Sequence, residues 1–252
     1  MKNVFKVLGI IAIVAVIGFS FAACGDDDGG DGGGGPSFLG DKLELSGQVY
    51  LPSYTATGIT YQKFDGNLTL DDYFGGSGEV KNGKLSYTIG VPNPSDLEIL
   101  NFNEDFDVHG RDYSYDSTTI SNPNAKRVIF NGFDIEDGST YYNLRKANDT
   151  GNINSQGYSS TYEEVIYVYV DSDVTISGKG KTITITNNDT YNGVNDSSTY
   201  TTKDFSLALK TGWNAVYMKQ MFTETNYKST YTMAISLSNP SLKWTLYLYD
   251  LP

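Results

Sequence analysis

An alternation of apolar and polar residues with a period of two runs through much of this chain. It is clear at Leu43, Leu45 and Val49, and it returns at Leu207 and Leu209. Successive side chains of a strand point to opposite faces of a sheet, so this pattern predicts strands with one buried face. The alternation therefore favours an all-β fold.

The composition supports the same prediction. The chain has 20 tyrosines and 27 glycines among its 252 residues, with abundant threonine, serine and asparagine. Tyrosine and threonine are favoured in half-buried sheets, whereas glycine and asparagine are favoured in turns. We expect an antiparallel β-sandwich, immunoglobulin-like or transthyretin-like, built as one large or two small sandwiches. One helical turn is predicted at Pro94-Ser95-Asp96-Leu97, because proline is tolerated at the start of a helix.

Three local patterns predict how strands are arranged. Asn82-Gly83 lies between two strand-like segments and predicts a two-residue hairpin. Residues 165–170 are apolar or aromatic on both faces, which predicts a central strand covered on each side. Gly178-Lys179-Gly180 predicts a second hairpin between strands at residues 174–176 and 182–186.

Two segments resemble known β-elements. Residues 42–92 contain Leu45-Ser46-Gly47-Gln48-Val49-Tyr50 and, later, Asn82-Gly83-Lys84-Leu85. This arrangement is similar to carboxypeptidase-regulatory or transthyretin-like repeats, which carry a Gly-x-Val opening and a later Asp/Asn-Gly strand. Leu209-Lys210-Thr211-Gly212-Trp213-Asn214 resembles a strand-turn-strand element of bacterial lipoproteins. The first resemblance implies a sandwich fold, and neither implies an activity.

The amino terminus has the pattern of an export signal. Lys2 and Lys6 precede an apolar run over residues 7–23, which ends at Ala22-Ala23-Cys24. This segment resembles a bacterial lipoprotein signal peptide, with Phe21 where that family usually has leucine, as in looser lipoboxes of the spirochaete type. The resemblance implies a diacylglycerol thioether on Cys24 and an acylated, palmitate-type amino terminus. Cys24 is the only cysteine of the chain, so no internal disulfide competes for it.

The remainder of the chain divides by composition. Residues 1–23 are the predicted signal peptide, and residues 24–36 are a Gly/Asp-rich flexible tether. Residues 147–160 are rich in Asn, Gly and Ser, which favours a break there. We therefore predict an amino-terminal β-domain at 37–147 and a carboxy-terminal β-sandwich at 160–252, while a single sandwich with a long loop is the alternative.

The charge restricts the partners. The formal net charge is -12, which disfavours binding to nucleic acid phosphates. Together with the signal, this places the protein in the bacterial cell envelope, anchored to a membrane through Cys24, at the outer membrane or cell surface rather than in the cytoplasm. The expected partner beyond the membrane is an unknown protein or a glycan.

One stretch suggests a metal site. Asp105, Asp107, His109, Gly110 and Asp116 fall at positions one, three, five, six and twelve of the twelve-residue calcium-loop template. His109 replaces an oxygen ligand in that template, and Asp116 replaces its bidentate glutamate. The alternative is an ordinary strand with a polar, solvated face. We therefore expect no cofactor, with a structural rather than catalytic calcium ion as the alternative.

Catalytic patterns are scarce. His109 is the only histidine, and no nucleophile elbow, zinc helix or phosphate loop occurs. A glycoside hydrolase needs only two carboxylates, but Glu163-Glu164 and Asp134-Ile135-Glu136-Asp137 are expected to be a strand edge and a turn. We therefore expect a non-enzymatic protein, with a hydrolase using an unrecognised carboxylate pair as the third alternative.

The aromatic residues suggest a function that ranks second among our expectations, that of a carbohydrate-binding surface lipoprotein. Aromatic rings stack on sugars, and tyrosine also offers a hydroxyl group. The candidates are Tyr141, Tyr142, Tyr158, Tyr162, Tyr167, Tyr169, Trp213 and Trp244. Because tyrosine is also favoured in ordinary sheets, the leading expectation stays a non-enzymatic interaction or envelope protein.

Overall fold

The computed structural model describes residues 37–55, 58–71, 73–102, 115, 117–137, 140–154, 157–187, 196–225 and 228–249. Of these residues, 73% lie in β-strands, which confirms the predicted all-β class. The predicted helical turn is confirmed as a short 3-10 helix over Pro94–Asp96. None of the described residues form a helix long and apolar enough to cross a lipid bilayer.

The strands are numbered in chain order. The first nine are β1 (Phe38–Gly40), β2 (Leu43–Thr55), β3 (Gly58–Lys63), β4 (Leu68–Thr69), β5 (Ser77–Lys81), β6 (Lys84–Ile89), β7 (Glu98–Ile99), β8 (Ser117–Ile120) and β9 (Lys126–Phe130). The others are β10 (Phe133–Asp137), β11 (Thr140–Asn154), β12 (Gly157–Val170), β13 (Val174–Lys179), β14 (Thr182–Asn187), β15 (Asp196–Thr202), β16 (Phe205–Leu209), β17 (Gly212–Thr225), β18 (Lys228–Leu237) and β19 (Trp244–Tyr249).

These strands form one large and one small sheet. The main path of the large sheet is β14-β15-β18-β17-β12-β11-β19-β2-β6-β5-β4, and the small sheet is β16-β13-β8. Most neighbours are antiparallel, whereas β15 with β18 and β19 with β2 are parallel. The large sheet is therefore mixed.

Strand β12 lies between two apolar cores. Val165, Tyr167 and Tyr169 point into the first core, which strands β2 and β6 also line, and the even-numbered residues 166, 168 and 170 point into the second. The second core is completed by β13 and β16. All side chains of residues 165–170 are buried, so the predicted central strand is confirmed. Full burial of such side chains stabilises by about 1.5–3 kcal/mol each.

The predicted Asn82-Gly83 hairpin is also confirmed. Asn82 and Gly83 have φ values of 49° and 71° and connect β5 to β6. Two successive positive φ angles are typical of the tight turns that match strand twist. A Cβ atom on Gly83 would lie 1.7 Å from the carbonyl oxygen of Phe64, so only glycine fits there.

The second predicted hairpin, around Gly178-Lys179-Gly180, is wrong. Strand β13 pairs with β16 and β8 in the small sheet, whereas β14 pairs with β15 in the large sheet. The Gly180 N–H donates to Asp204 Oδ1 over 2.6 Å, and a Cβ on Gly180 would lie 2.2 Å from the Thr202 carbonyl oxygen. The glycine therefore serves a crossing between two sheets rather than a reversal within one.

The polar stretch at residues 147–160 lies mostly in strands. Residues 147–154 of β11 pair with residues 157–164 of β12. Strands from both sides of this stretch also meet, since β19 pairs with β2 and the first core includes Leu43 and Leu246. The assignment of residues 37–147 and 160–252 to separate domains stays a prediction.

Candidate ligand-binding surface

Six strands extend past both cores as a single layer, which we call the open sheet. In β12 every residue from Glu164 onwards is buried, but residues 157–163 are only half-buried or exposed. The open sheet comprises residues 148–152, 157–163, 219–225, 228–232, 197–201 and 182–186, and none of these residues is buried. Both of its faces are therefore accessible among the described residues.

One face of the open sheet carries rows of hydroxyl groups. The strand register places Thr182, Thr201, Thr232, Met221, Thr161 and Thr150 side by side. A second row holds Thr184, Thr199, Thr230, Thr223, Ser159 and Asn152. The Oγ1 atoms of Thr182 and Thr201 lie 3.2 Å apart, as do those of Thr184 and Thr199. We call this surface the hydroxyl face.

The opposite face carries a ladder of aromatic rings. The centroids of Tyr200 and Tyr231 are 4.7 Å apart with nearly parallel rings, and Phe222 lies 4.7 Å from Tyr231. Tyr158 ends the ladder, 5.7 Å from Phe222, and is 38% exposed. Because the first three rings pack against one another, Tyr158 is the ring of this ladder most available to a ligand.

Beside Tyr158 lies an aspartate surrounded by tyrosine hydroxyls. A Cβ on Gly151 would lie 3.6 Å from the Tyr158 hydroxyl, so that hydroxyl lies above the backbone two residues from Asp149. The Tyr61 hydroxyl donates to the Asp149 carbonyl oxygen over 3.0 Å and accepts from its N–H. Tyr54 donates to Asp149 Oδ2 over 3.4 Å and is 64% exposed.

The Asp149 carboxyl is half-buried, and this changes its acidity. Burial raises the pKa of Asp149 above its ordinary value, while the nearby hydroxyls of Tyr247 and Tyr54 partly oppose that shift. Burial, followed by the Asp149 charge, also raises the pKa of Tyr247. The Tyr247 hydroxyl makes no hydrogen bond of normal geometry with another described residue. This hydroxyl is buried, so it acts on the Asp149 carboxylate and is not open to solvent.

A second polar group lies next to Asp149 on the same face. Tyr162 is the cross-strand neighbour of Asp149, and its hydroxyl donates to the buried carboxylate of Glu164. Arg145 Nη1 lies 3.6 Å from Glu164 Oε2, and Arg145 Nε donates to Asn143. Burial and the Glu164 charge raise the pKa of Tyr162. This network fixes Glu164 in place, since a buried carboxylate is stable only when it is paired.

One further amide lies next to Tyr162, and one lysine lies next to Tyr61. Gln220 lies opposite Tyr162 on β17, and its Nε2 atom is buried without a hydrogen-bond partner among the described residues. Lys243 Nζ lies 5.0 Å from the ring centroid of Tyr61 and 5.8 Å from that of Tyr50. We define the Asp149 site as the five residues Tyr54, Asp149, Tyr158, Gln220 and Tyr247.

The aromatic residues singled out from the sequence separate into three groups. Tyr167, Tyr169, Trp213 and Trp244 are buried in the first core, where the two indoles donate to the Gly90 and Ser46 carbonyls. Tyr142 packs against that core, and Tyr141 is exposed and donates to Glu136. Only Tyr158 and Tyr162 come close to Asp149.

Several predicted features lie outside the described residues. These are the lipidation candidate Cys24 and the calcium candidates Asp105, Asp107, His109, Gly110 and Asp116. Within the described ranges, no three His, Cys, Asp or Glu side chains are grouped closely enough to hold a metal ion. Lipidation and calcium binding stay predictions.

The two acidic segments are not the strand edge and turn expected from the sequence. Glu163 and Glu164 lie within β12, between β11 and β17, and Asp134–Asp137 belong to β10. Glu163 faces away from Glu164, accepts a hydrogen bond from Tyr217 and lies 3.3 Å from Lys219 Nζ. Alternation along the strand therefore sends the two neighbouring carboxylates to opposite faces.

No family model, curated protein or solved structure matches this chain.

Proposed function

We propose that this protein is an exported, lipid-anchored binding protein of the bacterial cell envelope, that it is not an enzyme, and that its ligand is a carbohydrate. The observation that carries the proposal is the half-buried Asp149 carboxylate, surrounded by tyrosine hydroxyls and bordered by the exposed rings of Tyr54 and Tyr158. Small-molecule sites in general combine the same two elements, aromatic or apolar surfaces and a few fixed polar groups.

Each side chain has a defined part in this proposal. The Asp149 carboxylate accepts hydrogen bonds from sugar hydroxyls, and the rings of Tyr54 and Tyr158 cover the apolar faces of sugar units. The Tyr247 hydroxyl is buried and lies beside the Asp149 carboxylate, which leaves the carboxylate and the two exposed rings as the groups that contact the sugar.

The charge narrows the class of carbohydrate. The protein carries a net charge of -12, and the carboxylate at the centre of the site adds local negative potential. Arg145, a cation on this face, already interacts with Glu164. The ligand is therefore a neutral glycan rather than a sulfated or uronic-acid polymer.

The proposed anchor presents this site to the exterior. Acyl chains on Cys24 would hold the protein on a membrane, because each buried methylene contributes about 0.8 kcal/mol. The segment from Gly25 to Pro36 spans at most about 40 Å when fully extended. That length allows the folded part to reach a glycan above the lipid headgroups.

The proposal is tested with the full chain in detergent and a panel of immobilised neutral polysaccharides. We expect retention on at least one polysaccharide, with a loss of roughly tenfold or more in affinity for Tyr54→Ala and for Asp149→Asn. Tyr141→Ala is the control, because Tyr141 is exposed and lies outside the site. Retention on none of the polysaccharides, or equal retention of all three variants, would contradict the proposal.

The same experiment addresses a hydrolytic role. Asp149 and Glu164 lie on one face, with Glu164 opposite Ala147, two residues from Asp149. The backbones of diagonal neighbours of this kind lie about 7–8 Å apart, so two such carboxyl groups can approach to the separations used by glycoside hydrolases. If the protein released reducing ends from a retained polysaccharide, and Asp149→Asn and Glu164→Gln abolished that release, the protein would be a hydrolase.

A further inference from the structure

We propose that strand β14 pairs with β14 of a second copy of this chain, so that the large sheet continues from one molecule into another. Strand β14 is the terminal strand of the large sheet, and β15 is its only partner among the described residues. An unpaired edge offers a row of backbone donors and acceptors to another strand.

The direction of these backbone groups follows from one hydrogen bond. The Thr202 N–H donates to the Lys181 carbonyl oxygen over 2.9 Å, so residue 181 is paired inwards. In an antiparallel pair such residues alternate with residues whose backbone groups point away from the partner. The N–H and C=O groups of Thr182, Thr184 and Thr186 therefore point towards the open edge.

The side chains of this edge do not protect it against pairing. Residues 182–186 read Thr-Ile-Thr-Ile-Thr, with no charge and no proline. Natural edge strands are usually blocked by lysine, proline or a bulge. The register of β14 against β15 shows no shift over this segment. The edge is therefore uncharged, regular and rich in residues that favour strands.

A second copy fits this edge better than an unrelated strand, because the segment is complementary to itself. An antiparallel pair centred on Thr184 places Thr182 opposite Thr186 and Ile183 opposite Ile185. The threonines of the two copies then lie opposite one another on the hydroxyl face, as Thr184 and Thr199 do within one copy. Ile185, which is 38% exposed, gains an apolar neighbour on the aromatic face.

The pairing has a consequence for both faces of the open sheet. The two hydroxyl rows would run on across the interface without a break, since Thr182 and Thr184 are their outermost residues. The two copies of the Asp149 site would lie on the same extended sheet. This inference is independent of the proposed ligand, because the edge strand does not belong to the Asp149 site.

The first test is a disulfide at the centre of the pair. Across a hydrogen-bonded antiparallel pair the two Thr184 Cα atoms would lie about 5.5 Å apart, and disulfides join Cα atoms about 4.4–6.8 Å apart. Full-length Thr184→Cys, extracted in detergent and oxidised, is expected to form a covalent dimer. Thr223→Cys, exposed in an inner strand of the same face, and the parent chain with Cys24 are the controls.

The second test measures mass by sedimentation. We expect the parent chain to dimerise and Ile185→Lys to weaken the dimer by roughly tenfold or more, because lysine blocks an edge. Met221→Lys is the matched control, since Met221 is 39% exposed but lies in an inner strand. Circular dichroism of each variant checks that the sheet is intact.

Three outcomes would overturn the inference. The parent chain could sediment as a monomer at every concentration, or Thr223→Cys could cross-link as readily as Thr184→Cys. In native membranes, Thr184→Cys could also cross-link to a different protein and never to itself, which would identify the edge as a site for another partner.

Discussion

Asp173 Oδ1 accepts two hydrogen bonds from Thr211, one from its N–H over 2.9 Å and one from its hydroxyl over 3.1 Å. Lys210 Nζ donates to Asp173 Oδ2 over 2.8 Å. Asp173 precedes β13, and Thr211 lies between β16 and β17. These hydrogen bonds therefore hold the connection between the small and the large sheet.

The Asp173 contacts predict a loss of stability in acid. The hydrogen bond from Lys210, followed by those from Thr211, lowers the pKa of Asp173 from 3.8 to about 2. A lowered pKa in the folded state contributes stability that is present above pH 3.8 and is lost as the pH falls towards about 2. Thermal unfolding between pH 2 and pH 5 should show this loss in the parent chain and a smaller one in Asp173→Asn. Asp65→Asn, which changes an exposed aspartate outside this connection, is the control and should show the same loss as the parent. An equal loss in all three proteins would show that Asp173 is not its source.

The Asp149 carboxyl predicts the opposite dependence of stability on pH. Burial raises its pKa in the folded state, so its contribution to stability is present below its ordinary pKa and is lost as the pH rises through the raised value. Asp149→Asn removes that titration, and we expect it to be at least as stable as the parent at pH 7 although it binds glycan poorly. Urea unfolding of the parent chain and of Asp149→Asn at pH 4 and pH 7 measures this difference in stability. A variant that is less stable at pH 7 would mean that the carboxylate serves the fold rather than a ligand.

Two glycines provide a matched test of the Asn82-Gly83 turn. Gly83→Ala forces a side chain into a positive φ and against the Phe64 carbonyl, so we expect a loss of about 1–3 kcal/mol or more. Gly90→Ala meets nothing within 4 Å, and its effect should stay within about 0.5 kcal/mol. Chemical denaturation of both variants gives the comparison. Similar losses in the two variants would argue against the tight turn.

The anchor proposal predicts where the protein is found. Cys24→Ala should remove the only residue that can carry the thioether-linked lipid, so the protein should leave the membrane fraction. Protease treatment of intact cells then distinguishes an external domain, which is digested, from a periplasmic one, which is protected. A Cys24→Ala protein that remains processed and membrane-bound would contradict the lipid anchor.

Parts of this fold follow directly from local sequence. Residues 165–170 could be placed between two layers because both of their faces are apolar. The Asn82-Gly83 turn could be placed because few residue pairs tolerate two positive φ angles. In both cases the interactions that determine the local structure lie within the segment itself or follow from its burial.

Other parts have no local signal. Gly178-Lys179-Gly180 has the composition of a hairpin turn, but pairing with β16 and β8 draws β13 into a different sheet from β14. Residues 147–160 are polar like a linker because the open sheet has no fully buried face at this point. A strand with two accessible faces needs no apolar alternation, so its sequence does not distinguish it from a loop.

The Asp149 site could not be assembled from the sequence for a related reason. Tyr54 and Tyr61 reach Asp149 across 95 and 88 residues of chain. Nothing in the local pattern of residues 50–63 distinguishes these tyrosines from Tyr167 or Tyr169, which are core residues. The contact between β3 and β11 brings Tyr61 to Asp149, and that contact is set by the whole sheet.

The dissociation constant of Tyr158→Ala tests the central proposal most directly. Tyr158 and Tyr141 are nearly equally exposed, at 38% and 37%, but only Tyr158 belongs to the Asp149 site. With the glycan identified by the polysaccharide panel, titration calorimetry on the full chain should show Tyr158→Ala binding roughly tenfold or more weakly than the parent, and Tyr141→Ala binding like the parent. Equal dissociation constants for the parent chain and both variants would contradict a carbohydrate site at Asp149.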